Sequence, residues 1–162
     1  MLLRNVERTD LHRVLSINQG AVPSMNSLEL GEIERFAADA AWFRVVEIDS
    51  GIAAFLIVLD ADTDYESINY RWFRERYADF LYIDRIAVDP RFHRRGLGQA
   101  LYEDLFAEVR RRDIARICAE VNLKPPNPGS IAFHRAMGFV QTGELEHPGG
   151  EKKVAMFVAE SR

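Results

Sequence analysis

Residues 89–109 read DPRFHRRGLGQALYEDLFAEV. Asp89-Pro90 is a turn signal. Arg91, Arg94 and Arg95 follow it, then Gly96 and Gly98, one residue apart. From Leu97 the pattern becomes helical: Leu97, Leu101, Leu105 and Val109 recur every four residues, with Ala100 beside them. The first N–H groups of a helix have no partner within it and lie at the positive end of its dipole. Glycine lets an anion approach those groups with no Cβ in the way, and guanidinium groups add full charge beside them. The stretch therefore reads as a phosphate cradle, although a G-x-G spacing also serves tight helix packing. It is not a P-loop, because no G-x-x-x-x-G-K-[ST] string exists. It is not a dinucleotide fingerprint, because GLGQAL lacks the third glycine.

Working outward, FLYIDRIAV (80–88) before the cradle is apolar on both faces, as a central strand is, and ARICAEV (115–121) after it is another strand. Upstream, LLRNV reads as a first strand, and Thr9 or Asp10 caps a helix through Leu11, Val14, Leu15 and Ile17. SLELGEIERFAADA reads as a second helix, and WFRVVEI and IAAFLIVL form a hairpin around Asp49-Ser50-Gly51. Downstream, SIAFHRAM is a helix stopped by Gly138, and FVQTGELE and KKVAMFVAE pair as a last hairpin. The segment 60–79 is expected to be a long connection, holding Tyr65, Tyr70, Trp72, Phe73 and Tyr77. It is either a binding loop or a satellite cluster over a sheet edge. The fold class is α/β (α+β): one domain over 1–162, with a mixed, mostly antiparallel sheet of about seven strands flanked by about four helices.

The 162 residues suffice for a core, and 48% of them are hydrophobic, which excludes disorder. The net charge of −4 does not advertise nucleic-acid or membrane binding. The arginines of RFHRR and of Arg110–Arg112 also lie at opposite ends of one helix. Cys118 is the single cysteine, so no internal disulfide is expected and a reducing, cytoplasmic setting is the simplest reading. MLLRNVERTD has no apolar signal region, and no apolar run is of membrane-spanning length. His12 and His147 have no metal-ligand spacing, so neither a metal nor a role for them is expected.

IAVDPRFHRRGLGQALYEDL resembles the acetyl-coenzyme A signature of the GNAT acetyltransferase superfamily: a strand ending in V-x-P, then [QR]-x-x-G-x-[GA] opening a long helix. NPGSIAFHRAMGF (127–139) resembles that family's second motif, N-x-x-A-x-x-[FL]-Y-x-x-x-GF. The two motifs lie within residues 81–139, and the element order matches over nearly the whole chain. His93 stands at the Gln/Arg position, His134 at the tyrosine position and Ser130 at the alanine position.

The resemblance implies an N-acetyltransferase moving acetyl from acetyl-CoA to a primary amine by direct attack. Its alternatives are a coenzyme-binding sensor with little chemistry, or an enzyme using a longer acyl-CoA. It implies that the pantetheine arm pairs with the strand at Ile86, Ala87 and Val88, and that the pyrophosphate sits on His93, Arg94, Arg95, Gly96, Leu97 and Gly98. Asn127, Ser130 and His134 would contact the coenzyme, and a splay between the two central strands would free an N–H for the developing oxyanion.

Glu120 in CAEVN is the first candidate base, the alternative being a carboxylate paired with an arginine. Asp84 is the second: a charge inside an apolar strand is costly unless paired or used. Tyr82 and Asp84 share a strand face, and Arg85 points to the other, so it is not an obvious partner for Asp84. His134 is the candidate acid for the departing sulfur, or a ligand of the coenzyme. Tyr82, Tyr70 and Trp72 are expected to face an acceptor entering beneath the 60–79 loop. That loop and the last hairpin are candidate homodimer surfaces. Cys118, mid-strand, reads as a small core residue.

Overall fold

The structure is a computed structural model and describes residues 1–161. The chain sorts into two compact units. It passes from one to the other after Thr63 and again inside two of its own elements, a strand and a long helix.

The first unit, Met1–Thr63 with Ile83–Leu105, holds β1 (Leu2–Asn5), α1 (Leu11–Gly20), α2 (Leu30–Asp39), β2 (Trp42–Ile48) and β3 (Gly51–Asp60). It also holds most of β4 (Leu81–Val88) and the start of α4 (Leu97–Arg111). β1 pairs antiparallel with β2 (Leu2↔Glu47), and β2 with β3 (Trp42↔Val58). The β2–β3 turn is two residues, Asp49 and Ser50, at φ of 50° and 65°. Such a turn matches the right-handed twist of the strands that it joins. β3 is buried from Ile52 to Leu59, which explains why its sequence does not alternate. α1 presents Leu11, Val14 and Ile17 to β3 and α2. Trp42 donates its indole N–H to Asp104 at 3.2 Å, and the Arg44 guanidinium, 4.7 Å over the Trp42 ring, binds the same carboxylate at 2.9 Å.

The second unit, residues 64–82 and Phe106 onward, holds α3 (Ile68–Arg74), the first residues of β4 and the end of α4. β5 (Arg116–Lys124), α5 (Pro128–Ala136), β6 (Val140–Glu146) and β7 (Lys153–Glu160) complete it. β4 and β5 are parallel through Leu81↔Ile117 and Tyr82↔Cys118, while β5–β7 and β7–β6 are antiparallel. The strand order is β1-β2-β3-β4-β5-β7-β6, a mixed and mostly antiparallel sheet as expected.

The fifth helix, α3, corrects the expected loop over 60–79. Ser67 caps it by accepting from the Tyr70 N–H, and Tyr70 and Phe73 are buried. Tyr70 packs edge-on to Tyr82 at 5.3 Å and to Tyr65 at 5.7 Å, so Tyr70 and Phe73 form core while Tyr65, Trp72 and Tyr77 stay half-buried. Among the described residues, no helix is long and apolar enough to cross a membrane.

Candidate active site

The cradle lies in the first unit. β4 ends at Val88, and Asp89 anchors the turn after it. The Asp89 N–H donates to the Ala53 carbonyl at 2.8 Å, and its Oδ1 accepts from the Arg91 N–H at 2.9 Å. Its carboxylate also holds the guanidinium groups of Arg91 and Arg13. The Arg91 hydrogen bonds, then that from Arg13, keep the Asp89 carboxyl well below the usual carboxylate range. Arg91 and Arg95 both lie over the Phe92 ring, 5.6 and 5.3 Å from its centroid. Arg94 and Gly96 then take φ of 63° and 76° and turn the chain into α4. At Gly96 an added Cβ would meet nothing within 4 Å, so the backbone conformation, with open space beside it, is what calls for glycine there.

His93 turns its ring back toward β4. Its Nε2 lies 3.0 Å from the Val88 carbonyl and, facing an acceptor, must carry the proton. The ring therefore donates back to β4, leaving the backbone amides and the neighbouring arginines to meet an anion. Those groups fit a pyrophosphate: a helix N-terminus, positive charge and no side chain over Gly96.

The carboxylate lies in the second unit. Glu120, on β5, receives two donors on one oxygen. The Tyr82 hydroxyl donates to Oε1 at 2.8 Å and Asn69 Nδ2 donates to it at 3.1 Å. Asn69 comes from α3, and its Oδ1 in turn lies 2.9 Å from His147 Nε2, on the turn between β6 and β7. Asn69 and His147 were invisible to sequence reasoning. Asn69 stands 51 positions from Glu120, and His147 stands 78 from Asn69. No spacing rule connects residues on a short helix, a strand and a turn.

The remaining expected residues separate into packing and capping roles. Asp84, the second candidate base, is paired. Arg85 Nε binds its Oδ2 at 2.7 Å, with both side chains at most 4% exposed. Arg85 also donates to Asn18 Oδ1 at 3.0 Å and Asn26 Oδ1 at 3.1 Å, so each of its three nitrogens has an acceptor. The expectation that strand alternation would part Asp84 from Arg85 fails because the long arginine stem folds back on its own strand.

Tyr70 and Tyr82, expected to face the acceptor, are both buried in this structure. Trp72 lies against Gly143, whose added Cβ would stand 2.6 Å from the indole, and carries the Arg76 guanidinium 3.6 Å over its ring. His134 is buried among Phe133, Phe139 and Phe157, and its Nδ1 donates to the Ser130 carbonyl at 2.8 Å. Burial pulls its pKa below the ordinary histidine value. The Asn127 side chain accepts from the Ser130 N–H at 3.3 Å and caps α5, beside a groove of about 380 Å³ lined by Leu123, Pro126 and Ile131. Cys118 is fully buried, and burial pushes its thiol pKa up, so it is not a nucleophile.

The sequence pattern of the acetyltransferase (GNAT) family matches residues 12–139. The [ribosomal protein bS18]-alanine N-acetyltransferase of Escherichia coli K12 is 43% identical over 54 residues. That match covers 33% of this chain and 35% of the relative, so it spans about a third of the relative's length. In architecture, the crystal structure of the ribosomal-protein-S18-alanine N-acetyltransferase from Escherichia coli superposes with a TM-score of 0.75 at 21% identity, covering 98% of this chain and 92% of that one. Chaetomium thermophilum Naa20, crystallised with a bisubstrate analogue, superposes with a TM-score of 0.77 at 21% identity, covering 99% and 86%.

Proposed function

The chain belongs to the acetyltransferase (GNAT) family, and on that premise we propose that it transfers the acetyl group of acetyl-CoA to a primary amine by direct attack. The observation that carries this reading is the Glu120 carboxylate, fixed on β5 by Tyr82 and Asn69. A neutral amine that attacks a thioester must give up a proton as the amide forms, and a carboxylate placed by two donors is a general base whose geometry is set beforehand. The amine nitrogen bonds to the acetyl carbon, the carbon–sulfur bond breaks, the sulfur leaves with that bond's electron pair, and Glu120 takes the amine proton. The coenzyme's pyrophosphate sits on the amides from Arg94 to Gly98, past the His93 N–H that already donates to the Pro90 carbonyl, with Arg94 and Arg95 beside it, and its amide arm runs along Ile86, Ala87 and Val88. Asn127 and Ser130, at the start of α5, are proposed as further coenzyme contacts.

His134 is given no proton-transfer role. With Nδ1–H on the Ser130 carbonyl, a neutral ring has only a lone pair at Nε2, and burial opposes the cation.

The acceptor is a peptide α-amine. A carboxylate is a weak base, and an α-amine with a pKa of about 7.7–8.0 is partly neutral near pH 7, whereas a lysine amine at about 10.4 is not. The named relative is a protein-alanine N-acetyltransferase, which agrees in class. The single buried thiol suits a reducing compartment.

The test is thiol release from acetyl-CoA against a panel of peptides and small amines. Turnover with peptides, lost by roughly 10²–10⁴-fold in Glu120→Gln with acetyl-CoA binding retained by calorimetry, is the expected result. Coenzyme binding without thiol release from any amine would make the protein a coenzyme sensor.

A further inference from the structure

We propose that Asn69 and His147 are positioning residues of this site, orienting the Glu120 carboxylate through one directed chain of hydrogen bonds; the inference rests on Glu120 being the base. A carboxylate only accepts, so the Asn69 amide must turn its Nδ2 toward Glu120, at 3.1 Å. Its Oδ1 then faces the other way, where His147 Nε2 stands at 2.9 Å. Facing an acceptor, that nitrogen carries the ring proton. The polarity is fixed end to end: His147 donates to Asn69, and Asn69 donates to Glu120.

This chain orients and does not conduct. An amide accepts on oxygen and donates on nitrogen, so a proton taken by Glu120 has no route through Asn69 to His147 without a tautomer change. His147 therefore acts only on the amide's direction. Asn69 is 6% exposed, and its carbonyl end needs a donor once it is out of water. Without His147 the Oδ1 end loses its donor, and Glu120 alone is left to hold the amide's direction.

The turn that carries His147 is closed on itself. The His147 N–H donates to the Lys152 carbonyl at 2.8 Å, the Gly150 N–H donates to the His147 carbonyl at 3.0 Å, and Lys124 Nζ donates to the Gly150 carbonyl at 2.8 Å. The imidazole is thereby delivered to Asn69 by a turn that its own backbone bonds define. Burial and the Lys152 charge both pull the ring's pKa below the ordinary value, which favours the neutral form with one N–H.

The experiment compares His147→Phe, His147→Gln, Asn69→Ala and the double variant His147→Phe/Asn69→Ala in the full chain, by thiol release with acetyl-CoA and a peptide amine. His147→Phe is expected to lower kcat about tenfold or more, because small misplacements of a reacting group cost that much, with KM for acetyl-CoA held within about twofold. His147→Gln recovers most of the loss, since its amide can donate to Asn69 Oδ1. In the Asn69→Ala background, His147→Phe costs nothing further, because its route to Glu120 is already gone.

Wild-type kcat in His147→Phe, no recovery in His147→Gln, or losses that multiply in the double variant would each overturn the proposal. If His147→Phe does not fold, Asn69→Asp carries the test. It keeps the shape and replaces the donor with an acceptor, so full turnover there overturns the proposal and a loss at least equal to that of Asn69→Ala supports it. Glu120→Gln, run alongside, separates the two levels. Full turnover in Glu120→Gln removes the base assignment itself. An inactive Glu120→Gln beside a fully active His147→Phe removes only the positioning role.

Discussion

Tyr82 and Glu120 stand on neighbouring parallel strands and share a 2.8 Å hydrogen bond, although the register pairs Tyr82 with Cys118, two residues before Glu120. The diagonal works because residues two apart on a strand share a face. Tyr82→Phe keeps the ring packing against Tyr70 and removes one of the two donors on Oε1. Losing a hydrogen bond to a charged group is expected to cost about 1–3 kcal/mol of stability. It is also expected to cost about tenfold in kcat with KM for acetyl-CoA little changed. Urea titration and steady-state kinetics check the two effects.

Gly96→Ala should act on coenzyme binding through the backbone. The residue sits at φ 76°, and an alanine there would be strained by about 1–2 kcal/mol while touching nothing. Relief of that strain would move the amides that lead into α4. KM for acetyl-CoA is expected to rise several-fold while kcat at saturating coenzyme stays near that of the wild type.

Gly143→Ala should act on stability through a clash. Its Cβ would stand 2.6 Å from Trp72 Cζ2 and 3.1 Å from Cη2, and Arg76 lies on the indole at 3.6 Å, so the ring has little room to retreat. A loss of about 1–3 kcal/mol is expected from calorimetry, the range of overpacked cores.

Glu108 sets a pH dependence. It accepts from Arg111 at 2.7 Å and from Arg112 at 2.7 Å, and these bonds, Arg111 first, hold its carboxyl at about 2 against an ordinary 4.5. The folded state thus prefers the charged form. Its contribution is complete above pH 4.5, shrinks as the pH falls toward 2 and vanishes below that. Glu108→Gln is expected to be about 1–2 kcal/mol less stable at pH 7, a discounted figure because Arg111 is largely exposed. The gap should narrow as the pH is lowered, as followed by urea titrations from pH 7 to 3.

Several elements were legible before any coordinates. β3 follows from an unbroken apolar run, α4 from apolar residues four apart, and the last hairpin from two strand-like runs around a proline-glycine turn, while the start of α4 is marked by Asp89-Pro90 and the glycines after it. α3 was not legible, because seven residues are too short for a period and the helix is held by burial of Tyr70 and Phe73 rather than by propensity. Asp84 was misread because strand alternation describes where Cβ atoms point, while an arginine reaches back past its own backbone. The strand position of Glu120 is legible in ARICAEV, and β5 carries it. The partners of Glu120 are not, because Asn69 and His147 become neighbours only after α3 and the β6–β7 turn are in place.

The two tryptophans divide between the two units: Trp42 under Arg44 in the first and Trp72 under Arg76 in the second. Each unit thus carries its own intrinsic fluorophore, and each emission will change when its arginine lifts away. Trp42→Phe leaves only the second unit shining and Trp72→Phe only the first, so the melting of either half can be watched without a label. Coincident curves would mean that the two halves come apart as one, and separated curves would reveal which lets go first.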